Sequence, residues 1–383
     1  MTRGLRIALG LTVVLWGLPA TLAGQASQFG VRSLGLPLLP VSAATQGTGG
    51  GFALFDPESA INPASLSGMG RAVASFGLRQ YWRTSENPYG SEGGNDTAFP
   101  LILVGGPIGN RFGFGVSASG LTDRTFSVGL ADTVIVRDAE LILSDTLISK
   151  GGVSDIRFGG SFDVSSRLSV GLGLHVMTGT NRIEYRRSFS DSTYFPVQLR
   201  NELSFAGPGV SVGLLAEPLS GLRVSAMYRW DGDLKLNKDS TRIAEIPMPR
   251  TIAAGLQWNQ RRLTLGGHVL ARNWSVQDDY ITERDGTGAS NTLEVAAGGQ
   301  LVSSLRQPAK FPLRFGARWA SLPYPLTAGG DQGSEFSVSA GSGLLFGGGR
   351  GIIDFALERS WRSGASGYTE KSFALALGVA IRP

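Results

Sequence analysis

The chain has 383 residues, of which 42% are hydrophobic, 17% are charged and 55 are glycine, and its formal net charge is +5. This length fits one large domain or two ordinary ones. The positive charges are spread along the chain without a basic run, which argues against a nucleic-acid-binding face. Since the chain has no cysteine, thiol catalysis and cysteine-bound metals are excluded.

Residues 1–26 are typical of a secretory leader. Arg3 and Arg6 supply the positive start, residues 7–18 form an apolar core, and small residues follow. We expect cleavage after Ala26, because a small residue ends the leader there. The apolar stretch is too short for a membrane helix, so an uncleaved anchor is the less favoured alternative.

The stretch at residues 47–66 differs from everything that follows it. It is glycine-rich, then apolar, and it contains Asn62-Pro63-Ala64. It has neither the period of a long helix nor the alternation of a strand. We therefore expect a periplasmic segment and hatch over residues 27–70, ahead of a β-barrel over residues 71–383.

Most of the chain after residue 70 alternates between apolar and small or polar residues. Such a period of two predicts strands with one apolar face. The clearest runs are residues 112–118, 168–176, 222–230, 313–319 and 373–381.

The connections between these strands alternate in length. Short turns are predicted at residues 107–110, 164–167, 218–221, 259–261, 303–308 and 347–351. Longer polar segments are predicted at residues 83–96, 121–150, 178–198, 231–248, 276–290, 321–334 and 362–370. Short turns on one rim and long loops on the other are typical of an outer-membrane barrel, here of about fourteen strands. Both ends of the wall, and the hatch, would then lie on the short-turn, periplasmic rim.

Two further patterns support an all-β transmembrane antiparallel barrel. After the leader no run of some 18 apolar residues remains, so a membrane-embedded chain would have to span as a closed barrel. Aromatic residues near predicted strand ends fit interfacial girdles; they are Tyr81, Trp82, Tyr228, Trp230, Trp258, Trp274, Trp319 and Trp361. A soluble β-sandwich is the alternative, and it rarely shows such regular alternation of loop lengths.

Residues 53–66 resemble the N-terminal hatch signature of the long-chain fatty-acid transporter (FadL-type) superfamily of outer-membrane proteins. In that signature an Asp and one or two alanines precede Asn-Pro-Ala-Gly-Leu, and Ser65 replaces the usual glycine here. The matching residues are Asp56, Ala60, Asn62, Pro63, Ala64 and Leu66. Residues 207–228 and 246–255 are also similar to the family.

The resemblance implies a fourteen-stranded barrel closed by a hatch, in the outer membrane. It implies facilitated diffusion of hydrophobic small molecules, such as fatty acids or hydrocarbons, which leave sideways through the wall into outer-membrane lipid. A related branch of the superfamily anchors or shuttles secreted proteins in type IX secretion. A barrel of that kind, with secreted proteins as partners, is the alternative function.

Apolar hatch residues would be out of place in a water-filled channel. Phe52, Leu54, Phe55 and Ile61 are therefore possible contacts for a hydrophobic ligand. The alternative is that they only attach the hatch to the wall, which is the commoner role of buried apolar side chains.

Six polar residues lie on the non-apolar side of predicted strands and should face the lumen, since charge facing lipid is costly. They are His175, Arg223, Arg229, His268, Arg314 and Arg318. We hypothesise that the arginines pair with Asp56 and Glu58 of the hatch. Each histidine is either part of a polar lumen site or an ordinary hydrogen-bonded side chain.

The sequence offers no marked catalytic or metal site. Two isolated histidines without cysteine do not favour zinc. A barrel phospholipase needs a serine and a histidine on adjacent strands with an orienting partner, whereas Ser169 and His175 share one strand. We expect a protein that is not an enzyme, with no cofactor, no metal and no nucleic-acid partner.

Overall fold

The computed structural model describes residues 27–88, 90–136, 139–191, 193–327, 329–364 and 367–382. The predicted leader at residues 1–26 lies outside them. Within the described residues, no helix is both long and apolar enough to cross a bilayer.

The secondary structure is almost entirely strand. The strands are β1 (Leu36–Pro37), β2 (Val73–Asn87), β3 (Gly90–Ala98), β4 (Leu101–Ile108), β5 (Phe112–Gly120), β6 (Thr122–Asp123), β7 (Phe126–Val136), β8 (Ala139–Gly151), β9 (Ser154–Ser165), β10 (Leu168–Phe189), β11 (Val197–Leu219), β12 (Leu222–Asp231), β13 (Leu234–Lys238), β14 (Thr241–Ile246), β15 (Thr251–Gln260), β16 (Leu263–Arg272), β17 (Thr292–Leu301), β18 (Leu313–Ser321), β19 (Ser334–Phe346), β20 (Gly351–Ser363) and β21 (Thr369–Ile381). The α-helices are Ala43–Gln46 and Asp278–Asp285, and the 3-10 helices are Gln28–Gly30, Pro63–Gly68, Trp274–Gln277 and Gly347–Gly349.

Fourteen antiparallel strand positions close into a barrel, which confirms the predicted strand number. The order is β2, then β3 with β4 as one position, β5, β9, β10, β11, β12 and β15 to β21. The last strand, β21, pairs with the first, β2, over Ala74–Glu86. Closure leaves no free edge in the wall, as a lipid environment requires.

The outer face of the wall is apolar. On β10, for example, Leu172 and Leu174 are 52% and 55% exposed, while Gly173 between them and His175 after them are buried. A closed barrel with this outward apolar face lies in the outer membrane. The predicted placement of two residues in the aromatic girdle is corrected. Tyr81 and Trp274 are buried inside, because both side chains point away from lipid.

Two predicted long loops contain additional strands. Strand β8 pairs with β7 and with residues 181–189 at the far end of β10. Strand β13 pairs with β14 and with residues 203–206 of β11. We call the resulting assembly of β7, β8, the far ends of β10 and β11, β13 and β14 the outer sheet. It rises from the long-loop rim, and its polar outward residues explain why the sequence read as loop.

One wall position is interrupted in the part of the chain that the structure describes. Strands β3 and β4 are separated at Phe99 and Pro100. On β2, Arg79 pairs with Ala98 of β3, and Phe76 pairs with Ile102 of β4. The two β2 residues are three positions apart, whereas their partners are four positions apart. One extra residue is thus accommodated beside a proline, which has no N–H for the ladder.

The N-terminal segment starts at the long-loop rim. The Gln28 side chain donates to the Thr369 carbonyl, and β1 pairs with β6 between β5 and the outer sheet. The chain then descends through the lumen to the 3-10 helix Pro63–Gly68 and enters β2 at the short-turn rim. The N-terminal segment therefore enters the lumen from the long-loop rim. Polar and apolar contacts hold the segment at the long-loop rim. Composition alone does not predict at which rim such contacts form.

Candidate functional site

The hatch, defined here as residues 27–72, is fitted against inward-facing glycines of the wall. A Cβ atom on Gly316 would lie 2.0 Å from the Thr48 carbonyl oxygen, and a Cβ on Gly213 would lie 1.8 Å from Asn62 Oδ1. Only glycine permits such a close approach of wall and hatch. Part of the high glycine content therefore serves the packing of the hatch.

Asn62, the centre of the recognised motif, connects the hatch to two wall strands. Its Oδ1 accepts from the Ala64 backbone N–H at 2.9 Å and so caps the 3-10 helix. Its Nδ2 donates to the Leu54 carbonyl at 3.2 Å and to Ser225 Oγ at 2.7 Å. Pro63 is the first residue of the helix, where a missing N–H costs nothing.

Asp56 organises the hatch internally. Its Oδ2 accepts from the hydroxyls of Ser42 at 2.6 Å, Thr45 at 2.7 Å and Ser59 at 2.8 Å. The remaining motif residues, Ala60, Ala64 and Leu66, are buried. The hypothesis that Asp56 pairs with wall arginines is therefore wrong, because three hatch hydroxyls already surround its carboxylate.

Glu58 pairs with Arg382, just beyond the end of β21. This is an ion pair between hatch and wall, but it involves none of the four arginines singled out from the sequence. Burial raises the pKa of the Glu58 carboxyl above its ordinary value despite the arginine.

The four lumen arginines bind wall side chains instead. Arg229 Nη1 lies 2.7 Å from Asp155 Oδ2, and Arg314 Nη1 lies 2.6 Å from Asp354 Oδ1. Arg318 pairs with Glu335 and Glu294, and Arg223 donates to Gln257 and lies over the Phe55 ring. The wall acids were missed from the sequence, although they share the inward parity of the arginines on neighbouring strands.

Both histidines lie on the lumen side and are buried. His268 Nε2 is 3.1 Å from Glu294 Oε1. His175 lies between Asp155 and Ser211, at 2.8 Å from each. The structure does not bring the two histidines together, since they belong to separate wall networks on β10 and β16.

The four apolar hatch candidates occupy one side of the lumen. Leu54, Phe55 and Ile61 share an apolar cluster with wall residues of β11, β12, β15 and β16, namely Leu215, Met227, Ala253 and Leu270. Phe52 packs on Gly266 of β16. Ile61 also lines a lumen cavity of about 40 Å³. These side chains therefore pack the hatch against the wall, and Ile61 in addition borders open space.

The opposite side of the lumen is charged. Ion pairs there connect Arg79 with Glu358 and Arg362 with Glu335 and Glu370. A second cavity, of about 70 Å³, borders these residues. The hatch residues Pro37 and Leu38 line both cavities. They divide the lumen into a charged half and an apolar half, and Asp155, Arg229 and Asp231 also border the cavity of the apolar half.

A cluster of packed apolar side chains, called the chamber below, lies above the apolar half, beneath the long loops. Its buried residues come from the hatch, the wall and the loops: Leu34, Val153, Met177, Phe205, Leu234, Ile246, Met248, Trp274, Ile281, Ala289 and Tyr324. A cavity of about 130 Å³ at its edge is lined by apolar residues that include Leu34, Leu203, Phe205 and Ile281, and by Arg124 and Arg284. Sequence reasoning missed this chamber because its members come from distant segments.

The inner face of the outer sheet continues this chamber upward. Inward parity on β10 and its partners places Val128, Leu130, Val197 and Leu199 there, and these four side chains are between 43% and 65% exposed. These apolar side chains flank the Asp145–Arg187 ion pair, which lies on the same inner face opposite Leu130 and Val197.

Comparison with solved structures identifies the fold. The chain is similar to a Pseudomonas aeruginosa FadL homologue, with a TM-score of 0.62 and 15% identity over 91% of this chain and 99% of that one. It is similar to the CymD monoaromatic hydrocarbon channel, with a TM-score of 0.58 and 18% identity over 90% and 97%. The Ralstonia pickettii toluene transporter TbuX gives a TM-score of 0.58 and 16% identity over 89% and 98%.

A scan against protein-family models and a search of curated proteins found no match. At the identities of the structural matches, the likeness concerns the fold. The closed fourteen-position wall, the hatch in its lumen and this likeness agree with the resemblance seen in the motif. The chain has the fold of the FadL-type outer-membrane barrels.

Proposed function

We propose that the protein conducts hydrophobic small molecules across the outer membrane by facilitated diffusion. The observation that carries the proposal is the apolar cluster around Leu34 and Phe205, with the exposed apolar side chains of the outer sheet above it. Exposed apolar surface of this extent is uncommon on proteins unless it binds something. Passage itself needs no chemical step.

The route follows from the two-sided lumen. A hydrophobic molecule captured on the outer sheet would move into the chamber, where the walls are apolar. It would then meet the apolar half of the lumen, where Leu54 and Ile61 of the hatch face Met227 and Leu270 of the wall. The charged half offers no comparable surface, because its side chains are held in ion pairs.

The substrate class extends from fatty acids to aromatic hydrocarbons. The solved structures that are similar to this chain include hydrocarbon channels and a FadL homologue, which supports hydrophobic cargo without choosing between these two kinds. Lateral release into outer-membrane lipid is the exit that the resemblance implies.

The test is uptake by a host strain that lacks its own barrel for such compounds. We expect expression of the protein to accelerate uptake of labelled toluene, of a labelled long-chain fatty acid, or of both. A polar sugar of similar size serves as the control and should enter no faster. Absence of uptake, together with co-purification of a secreted protein, would instead support the anchor or shuttle function.

A further inference from the structure

Three neighbouring wall strands each place one polar side chain at the same level of the lumen. Asp155 lies on β9, His175 on β10 and Ser211 on β11. His175 Nδ1 is 2.8 Å from Asp155 Oδ2, and His175 Nε2 is 2.8 Å from Ser211 Oγ. The three residues are buried, with Asp155 and His175 each 3% exposed and Ser211 1% exposed.

These contacts fix the protonation pattern. A carboxylate only accepts, so Nδ1 of His175 carries the hydrogen that faces Asp155. Nε2 is then the basic nitrogen, and it accepts from the Ser211 hydroxyl. A carboxylate, an imidazole and a hydroxyl in this order are the parts of an activated serine nucleophile.

An unused cation lies beside the serine. Arg157 is directly opposite His175 in the β9–β10 ladder and is 1% exposed. Its Nε, Nη1 and Nη2 have no hydrogen-bond partner among the described residues. A Cβ atom added to Gly173 would lie 2.5 Å from Ser211 Oγ and 3.5 Å from Arg157 Cδ. Both atoms therefore border the same space beside Gly173.

The Arg157 guanidinium has no hydrogen-bond acceptor among the described residues, although it balances charge in the wall. Arg229 lies between Asp155 and Asp231, with Nη1 2.7 Å from Asp155 Oδ2 and Nε 2.8 Å from Asp231 Oδ2, so Arg157 supplies the second positive charge for these two carboxylates. A buried donor without an acceptor calls for an explanation, and a bound ligand or a water is one. Cationic donors beside a nucleophile stabilise the oxyanion of a tetrahedral intermediate.

We propose that Asp155, His175 and Ser211 form a hydrolytic triad for hydrophobic acyl esters, with Arg157 as the group that binds the oxyanion. The hydrophobic substrate class rests on the proposed function. The hatch covers the site from below, since a Cβ on Gly171 would lie 2.2 Å from the Ala64 nitrogen. The small lumen cavity reaches Asp155 but not Ser211, and it is bordered by Met227 and Leu270. Substrate enters the site when the hatch moves.

The reaction balances with water as the co-substrate. Ser211 Oγ bonds to the ester carbonyl carbon while its proton passes to His175 Nε2, and the carbonyl oxygen becomes an oxyanion beside Arg157. The bond to the alcohol oxygen breaks, and the alcohol leaves with the proton from His175. Water then attacks the acyl-serine through His175, which releases a carboxylic acid and regenerates Ser211.

The test uses the purified full-length mature protein in detergent and an alkyl fluorophosphonate, which phosphonylates activated serines with loss of fluoride. We expect a peptide adduct at Ser211, and hydrolysis of p-nitrophenyl octanoate at the same site. Ser211→Ala should remove the adduct, and His175→Gln should slow its formation at least about 10³-fold. Arg157→Gln should slow ester hydrolysis about 10²-fold or more, with substrate binding affected less than turnover.

The matched control is Ser360→Ala, which removes a buried lumen hydroxyl that is paired with Ser372 and has no histidine. It should keep the adduct at Ser211. Access is tested with Asn62→Ala, in which the hatch is loosened and labelling should be faster. Lack of an adduct in both the wild type and Asn62→Ala would overturn the proposal. Uptake of a hydrocarbon, which has no ester, is measured on the wild type, so failure of the triad is distinguishable from failure of transport.

Discussion

Asn62 of the hatch donates a hydrogen bond to Ser225 of β12 at 2.7 Å, in a part of the lumen where both residues are fully buried. The same amide group also caps the 3-10 helix and binds the Leu54 carbonyl. One side chain therefore fixes the fold of the hatch and its attachment to the wall.

Replacing Asn62 with Ala removes these bonds and leaves buried partners unsatisfied. We expect the free energy of local opening of the hatch to fall by about 2–3 kcal/mol, because buried groups without a partner are costly. Hydrogen exchange of the hatch amides measures this opening. Ser225→Ala removes the bond from Asn62 and the bond from Ser225 to the Leu54 carbonyl, but it keeps the helix cap and should give a smaller effect. Equal exchange in all three proteins would contradict this role of Asn62.

Gly213 and Asn62 are too close for any side chain between them. In Gly213→Ala the new methyl would have to displace Asn62 Oδ1 from 1.8 Å, so the hatch should shift and conductance in planar bilayers should rise. Overpacking of this kind costs about 1–3 kcal/mol or more. Gly160→Ala is the control, since a Cβ there has its nearest neighbour at 4.0 Å and conductance should not change.

Asp56→Ala should also raise leak conductance, for a reason that differs from the one drawn from the sequence. The variant leaves Ser42, Thr45 and Ser59 without their common acceptor. We expect the segment between these residues to loosen, while the wall ion pairs stay intact. A variant with unchanged bilayer conductance would show that the Asp56 contacts do not hold the hatch closed.

Glu58 predicts a pH dependence of the attachment of the hatch. Burial raises the pKa of its carboxyl in the folded protein, so the neutral form is favoured there. Its contribution to stability is therefore fully present below the unfolded pKa and is lost as the pH rises through the folded pKa. The window starts near the ordinary carboxyl pKa of about 4.3 and extends upward.

Glu58→Gln removes the ionisable carboxyl. We therefore expect the gain in hydrogen-exchange protection of the hatch amides, relative to wild type, to be larger at neutral pH than below this window. Hydrogen exchange at the two pH values, corrected for intrinsic rates, measures the difference. Glu140→Gln on the exposed outer sheet is the control and should show no such difference. The same protection difference at both pH values would contradict the prediction.

The wall could be predicted from the sequence because lipid on one side and the lumen on the other impose a strict period of two. On β10, Leu172 and Leu174 alternate with Gly173 and His175, and nothing else accounts for such a pattern. The strand number followed from the loop lengths. The outer sheet was missed because its outward face carries pairs such as Arg182–Glu202, which resemble the charges of a loop.

The lumen was harder to predict. The motif around Asn62 was visible, but its partners Ser225 and Leu214 lie more than 150 positions away in the chain. The partners of Arg229 and Arg314 depend on which strands are neighbours and on their register, which composition does not give. Strand parity on three adjacent strands would have brought Asp155 and Ser211 to His175.

The most direct test of the central claim compares two adjacent residues of β7. Leu130 faces the inside of the outer sheet and is 65% exposed, while Ala131 faces outward. We expect Leu130→Asp to slow uptake of a labelled hydrophobic compound about tenfold, because it places a second carboxylate beside Asp145 and removes apolar surface from this face, and Ala131→Asp to leave uptake unchanged. Equal uptake by both variants and the wild type would contradict transport along this surface.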